Sequence, residues 1–179
     1  MKKPSLGPRQ IVYQNPFLQI SSVRVEFPDY VKTIYVSHYG PRVGVLLLKD
    51  DHVLLVRQYR MLIDDMTLEI PGGKVDEGET PEIAASRECL EETCLRCLNL
   101  QPLLYYHPGL DTTDNPTWMF YCTQSEPVPQ QELDRNEVAE LVWIPFSRCV
   151  EMVFEKQIVD CLSVAAILAY QVRKMRHDV

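Results

Sequence analysis

The chain has 179 residues, 46% of them hydrophobic and 24% charged, with a formal net charge of −7 at pH 7. That length bounds one domain with a substantial core, with room for a small appendage. The acidic balance excludes a general nucleic-acid binder, whose footprint is basic, yet leaves phosphorylated small molecules open because bound cations invert a local field.

No stretch is long and apolar enough to cross a membrane. The basic start "MKKPSLGPRQ" has no apolar run behind it, so no secretory signal is expected. Cys89, Cys94, Cys97, Cys122, Cys149 and Cys161 are irregularly spaced in apolar surroundings. That pattern reads as reduced thiols in a cytoplasmic protein. Cys94 and Cys97 form a CxxC, but without a second pair no zinc site is expected.

Taken in chain order, residues 1–16 are rich in Pro, Gly and polar groups and read as an arm. "FLQISSVRVEF" and "VKTIYVSHYG" alternate apolar and polar residues, which predicts two strands. "VGVLLLKDDHVLLVRQY" predicts a hairpin turning at Lys49–His52. "LEIPGG" predicts a short strand that ends in a turn. Thr80 suits an N-cap, Pro81 the first helical position and Glu82 the positive end of the dipole, so a helix begins there. "PLLYYH" and "TWMFYCT" predict strands around the loop "PGLDTTDNP". "QSEPVPQQELDRNEVAE" predicts a long loop and "LVWIP" a strand. A short helix is expected over 146–154. An amphipathic helix is expected over 158–172, burying Ile158, Cys161, Leu162, Ala165, Leu168, Ala169 and Val172. Trp118 and Trp143 are expected in the core, Tyr105 and Tyr106 alternating between core and cleft, and His38 and His107 structural or close to a ligand.

The helix from Pro81 carries Arg87, Glu88, Glu91 and Glu92 within six residues. At about 100° per residue, Ile83, Leu90 and Cys94 form an apolar stripe. The three glutamates gather to one side of it, with the small Ala84 leaving room beside them. Like charges three and four residues apart repel. A divalent cation would relieve that repulsion, since hard ions take oxygen ligands. The other reading is a surface helix laced with ion pairs.

The spacing from Gly73 is Gly, five residues, Glu79, seven residues, Arg87-Glu88, two residues, Glu91-Glu92, two residues, Leu95. This resembles the Nudix box, and its five charged positions recur by chance roughly once in a million start points. Two positions depart: Cys89 stands where the family has Ile, Leu or Val, and Cys94 where it has Gly. Without that glycine the helix is expected to end differently or to run on by a turn. "LLVRQYR", "LEIPGGKVDEGE", "HPG" and "DCLSVAAILAY" are similar to the branch that hydrolyses ADP-ribose and nucleoside diphosphate sugars.

The resemblance implies an α/β fold: a Nudix-type α/β/α sandwich around a mixed β-sheet, with an N-terminal β extension. Residues 1–38 would be the N-terminal arm and strands that form a homodimer, and 39–179 the hydrolase domain. The implied cofactor is Mg2+, with Mn2+ as a substitute, held by Glu88, Glu91, Glu92 and the Gly72 carbonyl. Arg87 would hold Glu79 and so fix the loop against the helix, and Glu91 would assist. Arg60, Glu69 and Gly109 stand where the branch contacts substrate. The catalytic base is expected in "QQELDRNEVAE", with Glu137 first, Glu140 second, and Glu132 and Asp134 open.

The implied reaction splits the pyrophosphate of ADP-ribose or a related nucleoside diphosphate sugar into a nucleoside monophosphate and a sugar phosphate. No nucleic acid polymer or membrane is an expected partner. The proline after the box comes earlier than in the ADP-ribose subgroup, which favours a different sugar or a wider range. Hydrolysis of nucleoside triphosphates or dinucleoside pyrophosphates, and a silent nucleotide-sugar sensor, are the alternatives.

Overall fold

The computed structural model describes residues 2–133 and 138–176. Its contacts divide the chain into two compact units, Met1–Pro41 with Tyr106–Pro116, and Arg42–Tyr105 with Thr117–Val179. Residues 39–41 and 106–116, which the sequence groups with the hydrolase domain, cluster with the N-terminal strands.

In the first unit, β1 (Ser5–Gln14), β2 (Gln19–Glu26) and β3 (Val31–His38) form an antiparallel sheet. The supposed arm is therefore a strand. No residue of it is buried, so no core-facing alternation marks it in the sequence, and Pro8 interrupts the run. The Asn15 side-chain oxygen accepts from the Phe17 and Leu18 amides and closes the first turn. Val25 is the only buried apolar side chain among the described residues of this unit.

The second unit is built on the predicted hairpin. β4 (Arg42–Lys49) and β5 (His52–Arg60) are joined by Asp50 and Asp51, both at positive φ. Two such residues make the primed turn whose twist matches the strands. β6 (Asp65–Glu69) pairs antiparallel with β5, and β7 (Gly72–Lys74) with β4. The glycines of "PGG" thus lie in a strand and not in a turn. A Cβ on Gly72 would strike the Val43 carbonyl, so only glycine permits this approach.

After α1 (Pro81–Thr93) come β8 (Leu95–Cys97) and β9 (Gln101–Tyr106). β10 (Thr113–Asp114) runs parallel to β3 in the first unit, and β11 (Thr117–Cys122) parallel to β4 in the second. β12 (Ser125–Pro127) pairs with β8, and β13 (Glu140–Pro145) with β5. The main sheet therefore runs β13-β5-β4-β11-β9, with β6 and β7 paired to its hairpin. α2 (Phe146–Phe154) and α3 (Cys161–Met175) complete the unit.

β4 explains the layering. Val43, Val45 and Leu47 cluster with Ala84, Ala85 and Cys89 of α1. By the two-residue period Leu46 and Leu48 face the other way and are equally buried. α3 packs against β4 and β11. A strand buried on both faces between helices is the expected α/β architecture.

Helix faces differ from expectation. On α1, Ile83 is 56% exposed, while Ala84, Ala85, Cys89 and Thr93 are buried. Ala84 is core and leaves no opening. Small residues let the helix approach β4 closely, and that packing outweighs burial of one isoleucine. On α3 the buried stripe is Ser163, Ala166, Ile167 and Tyr170, and the helix starts at Cys161 behind the N-cap Asp160. Trp143 is 38% exposed, not core. Trp118 is half-buried with its ring 4.9 Å from that of Tyr105.

Candidate active site

α1 begins as its sequence dictates. Thr80 is extended, its hydroxyl accepts from the Ile83 amide at 3.4 Å, and Pro81 occupies the first turn. It ends where the family's glycine would stand. Cys94 adopts φ 57°, ψ 18° and its amide reaches the Leu90 carbonyl. A cysteine thus serves as the left-handed cap, and the helix neither frays early nor runs on.

Arg87 is the hub of the helix. Its guanidinium donates to both Glu79 oxygens at 2.9 Å, to the Lys74 carbonyl at 2.9 Å, to Glu88 at 2.9 Å and to Glu91 at 3.0 Å. These bonds hold the Glu79 carboxyl down at about 2 and push the Arg87 guanidinium up. The Asp76 amide donates to Glu79 as well, so the loop 74–79 is fastened to the helix at several points.

Glu88 and Glu92 both meet β7. A Cβ on Gly73 would land on the Glu88 carboxylate, so the glycine makes the cradle in which that group sits. The Gly72 amide donates to Glu92 at 2.9 Å, and the Gln58 side-chain amide donates to the other oxygen at 3.2 Å. Glu91 is half-exposed. No group of three acid, His or Cys side chains converges on one point among the described residues. Mg2+ does not need one, because it ordinarily takes one or two carboxylates and completes its shell with water and phosphate oxygens. Two carboxylates against a glycine strand fit such an ion by donor chemistry.

A second polar group lies on the β5–β6 pair. Arg60 donates to both oxygens of Glu69 at 2.7 and 2.6 Å, and the Thr67 hydroxyl also donates to Glu69. Burial pushes the Glu69 carboxyl up, but the Arg60 and Thr67 hydrogen bonds outweigh it and the group lies below its ordinary value. Arg60, Thr67 and Glu69 line an open cleft of about 380 Å³, shared with Met61, Leu62 and Asp160.

The remaining sequence expectations fall in different places. Glu140 opens β13 and is ion-paired with Arg57 across the strands at 3.0 Å. Glu132 is exposed. Glu137 and Asp134 lie outside the described residues. Gly109 belongs to the first unit, where its carbonyl accepts from the Thr113 amide at 2.8 Å. His38 is structural: its ring bonds Ser21 at 2.7 Å and Asp114 at 2.8 Å. Cys89, Cys94, Cys97, Cys122 and Cys149 are free thiols. Cys97 lies 3.5 Å from Cys89, and contact with the Cys122 and Cys89 sulfurs pushes its thiol well above the ordinary value.

Pattern reading missed Gln58 and Ser163, both buried. Ser163 Oγ accepts from the Ile70 amide at 2.9 Å, steadying the entry to β7. Ser163 is a polar residue inside an apolar run, and that anomaly was the available signal; Gln58 lies between Arg57 and Tyr59, where no such anomaly marks it.

The chain matches the NUDIX domain family over residues 38–158. It is 25% identical over 170 residues to an ADP-ribose pyrophosphatase of Bacillus subtilis, covering 93% of this chain and 91% of that protein. It is 26% identical over 162 residues to a CMP-5'-(N-acetyl-N-hydroxy-3-aminopropyl)phosphonate hydrolase of Streptomyces rubellomurinus, covering 89% and 78%. A crystal structure of an ADP compounds hydrolase superposes with a TM-score of 0.86 at 18% identity, over 100% of this chain and 98% of that one.

Proposed function

The chain belongs to the Nudix family, and on that premise we propose that it is a divalent-cation-dependent pyrophosphohydrolase of ADP-ribose or a related nucleoside diphosphate sugar. The observation that carries the reading is the pair of carboxylates, Glu88 and Glu92, seated on the glycine strand Gly72–Gly73. The names of the curated relatives support the substrate class.

A pyrophosphate repels nucleophiles with its own charge, so its hydrolysis needs cations at the phosphates. Mg2+, or Mn2+ in its stead, would be held by Glu88 and Glu92 with Glu91 and the Gly72 carbonyl; when bound it neutralises phosphate charge and acidifies coordinated water. Arg87 keeps Glu79 and the 74–79 loop fixed, so the carboxylate face does not shift during turnover. Arg60 presents a guanidinium beside a cleft, where it orients the nucleotide or sugar portion of the substrate together with Glu69. The base that takes the proton from water is a carboxylate oxygen of Glu137, with Glu140 second.

Incubation with Mg2+ and ADP-ribose, ADP-glucose or GDP-mannose should release nucleoside monophosphate and sugar phosphate. Glu92→Gln should lower turnover at least about a hundredfold while the protein stays folded. No product from any substrate, or an unaltered variant, overturns the proposal. Glu137→Gln and Glu140→Gln in the same assay identify the base.

The chain works as a cytoplasmic homodimer in this reading. The free thiols of Cys89, Cys94, Cys97, Cys122 and Cys149 support a reducing compartment. Leu6, Ile11, Val12 and Tyr13 of β1 and Tyr35 of β3 are exposed, a surface that a second copy would cover. Light scattering should give a dimer mass for the full chain and a monomer once residues 2–16 are deleted; a monomeric full chain refutes the dimer.

A further inference from the structure

We infer that Gln58 is a positioning residue for the Glu92 carboxylate, an inference that rests on the ligand role proposed for Glu92. Glu92 is only 7% exposed, and an ionised carboxylate there needs donors. It has one on each oxygen, the Gly72 amide at 2.9 Å and the Gln58 side-chain amide at 3.2 Å. The first is a backbone amide, present in every residue but proline. Gln58 is the one that sequence decides.

Gln58 is itself nearly enclosed, at 3% exposure. Its position follows from strand geometry. Along β5 the two-residue period puts Leu54, Gln58 and Arg60 on one face. Leu54 packs in the cluster with Ala84, Ala85 and Cys89 of α1, so that face looks at the helix, and Gln58 reaches its last turn. Its backbone is fixed by pairing with Thr67, whose hydroxyl donates to the Gln58 carbonyl at 3.2 Å.

The choice of donor matters chemically. A lysine or arginine here would orient Glu92 but also neutralise it, competing with a cation for the same charge. A neutral amide fixes the carboxylate plane and leaves the full negative charge for an ion.

Mn2+ binding is the direct test, followed by electron paramagnetic resonance on the substrate-free protein. Gln58→Met removes the donor at similar volume. It should weaken Mn2+ binding about tenfold or more and raise the Mg2+ needed for half-maximal turnover in parallel. KM for the nucleotide sugar at saturating Mg2+ should not move. Leu68→Ala, a half-buried apolar residue on the paired strand, controls for simple loosening of the hairpin: it should lower the melting temperature yet keep the Mn2+ affinity. Glu92→Gln separates the two levels of inference. If it binds Mn2+ as the parent does, the ligand role fails and this inference with it. If it loses Mn2+ while Gln58→Met binds normally, Glu92 stands and the positioning role of Gln58 is overturned.

Discussion

Two arginines organise the two halves of the candidate site, and they do so in opposite ways. Arg87 on α1 divides its donors among Glu79, Glu88, Glu91 and the Lys74 carbonyl. Arg60 at the end of β5 spends its bidentate contact on Glu69. Three of Arg87's contacts are to side chains of the box itself, so it serves as scaffold. Arg60 is half-exposed beside a cleft and its partner is nearly buried. The lesson is that a hub tolerates loss of any one partner, whereas a single fork does not. The α1 side of the candidate site is held redundantly, and the β5–β6 side depends on one pair.

Removing the hub should have the largest effect. Arg87→Ala frees three carboxylates together and should cost about 3 kcal/mol, since bonds to charged groups are the stronger kind and partial exposure tempers them. The melting temperature should fall by about 8 °C. Part of this loss has a pH signature. Glu79 is held at about 2 against an ordinary 4.5, so its contribution is complete above pH 4.5 and fades as pH falls towards 2. Parent and Arg87→Ala should therefore differ most near neutrality and converge in acid. A gap that stays constant down to pH 2 would show that the hub is not electrostatic.

Breaking the fork should have a smaller but more selective effect. Arg60→Ala leaves Glu69 without its cation and should cost about 2 kcal/mol, with KM raised about tenfold, the energy of one well-oriented contact. Adding Glu69→Gln removes the stranded charge. In a double-mutant cycle the pair should recover stability but not KM. Recovery of both would make Arg60 a structural residue and dissolve the contrast between the two arginines.

The smallest change concerns the end of the scaffold helix. Cys94→Gly replaces a side chain in the left-handed region with the residue that adopts it freely. It should raise stability by about 1 kcal/mol in thermal unfolding, with turnover unchanged. Destabilisation would mean that the Cys94 side chain packs for more than its backbone strain.

The sequence by itself determined what depends on neighbours along the chain. The Asp50–Asp51 hairpin, the Thr80–Pro81 start of α1 and the spacing of Glu79, Arg87, Glu88, Glu91 and Glu92 are local chemistry, visible within a turn or two. Tertiary structure alone decided which faces are buried, because burial depends on the partner. Ala84 and Cys89 meet β4 where Ile83 was expected. It also decided that Pro8 sits in a strand and that 106–116 joins the first unit. The same holds for Gln58, which meets Glu92 across 34 positions of sequence. Hydrogen bonds of that range leave no periodic trace, since they are set by strand pairing and helix packing and not by spacing along the chain.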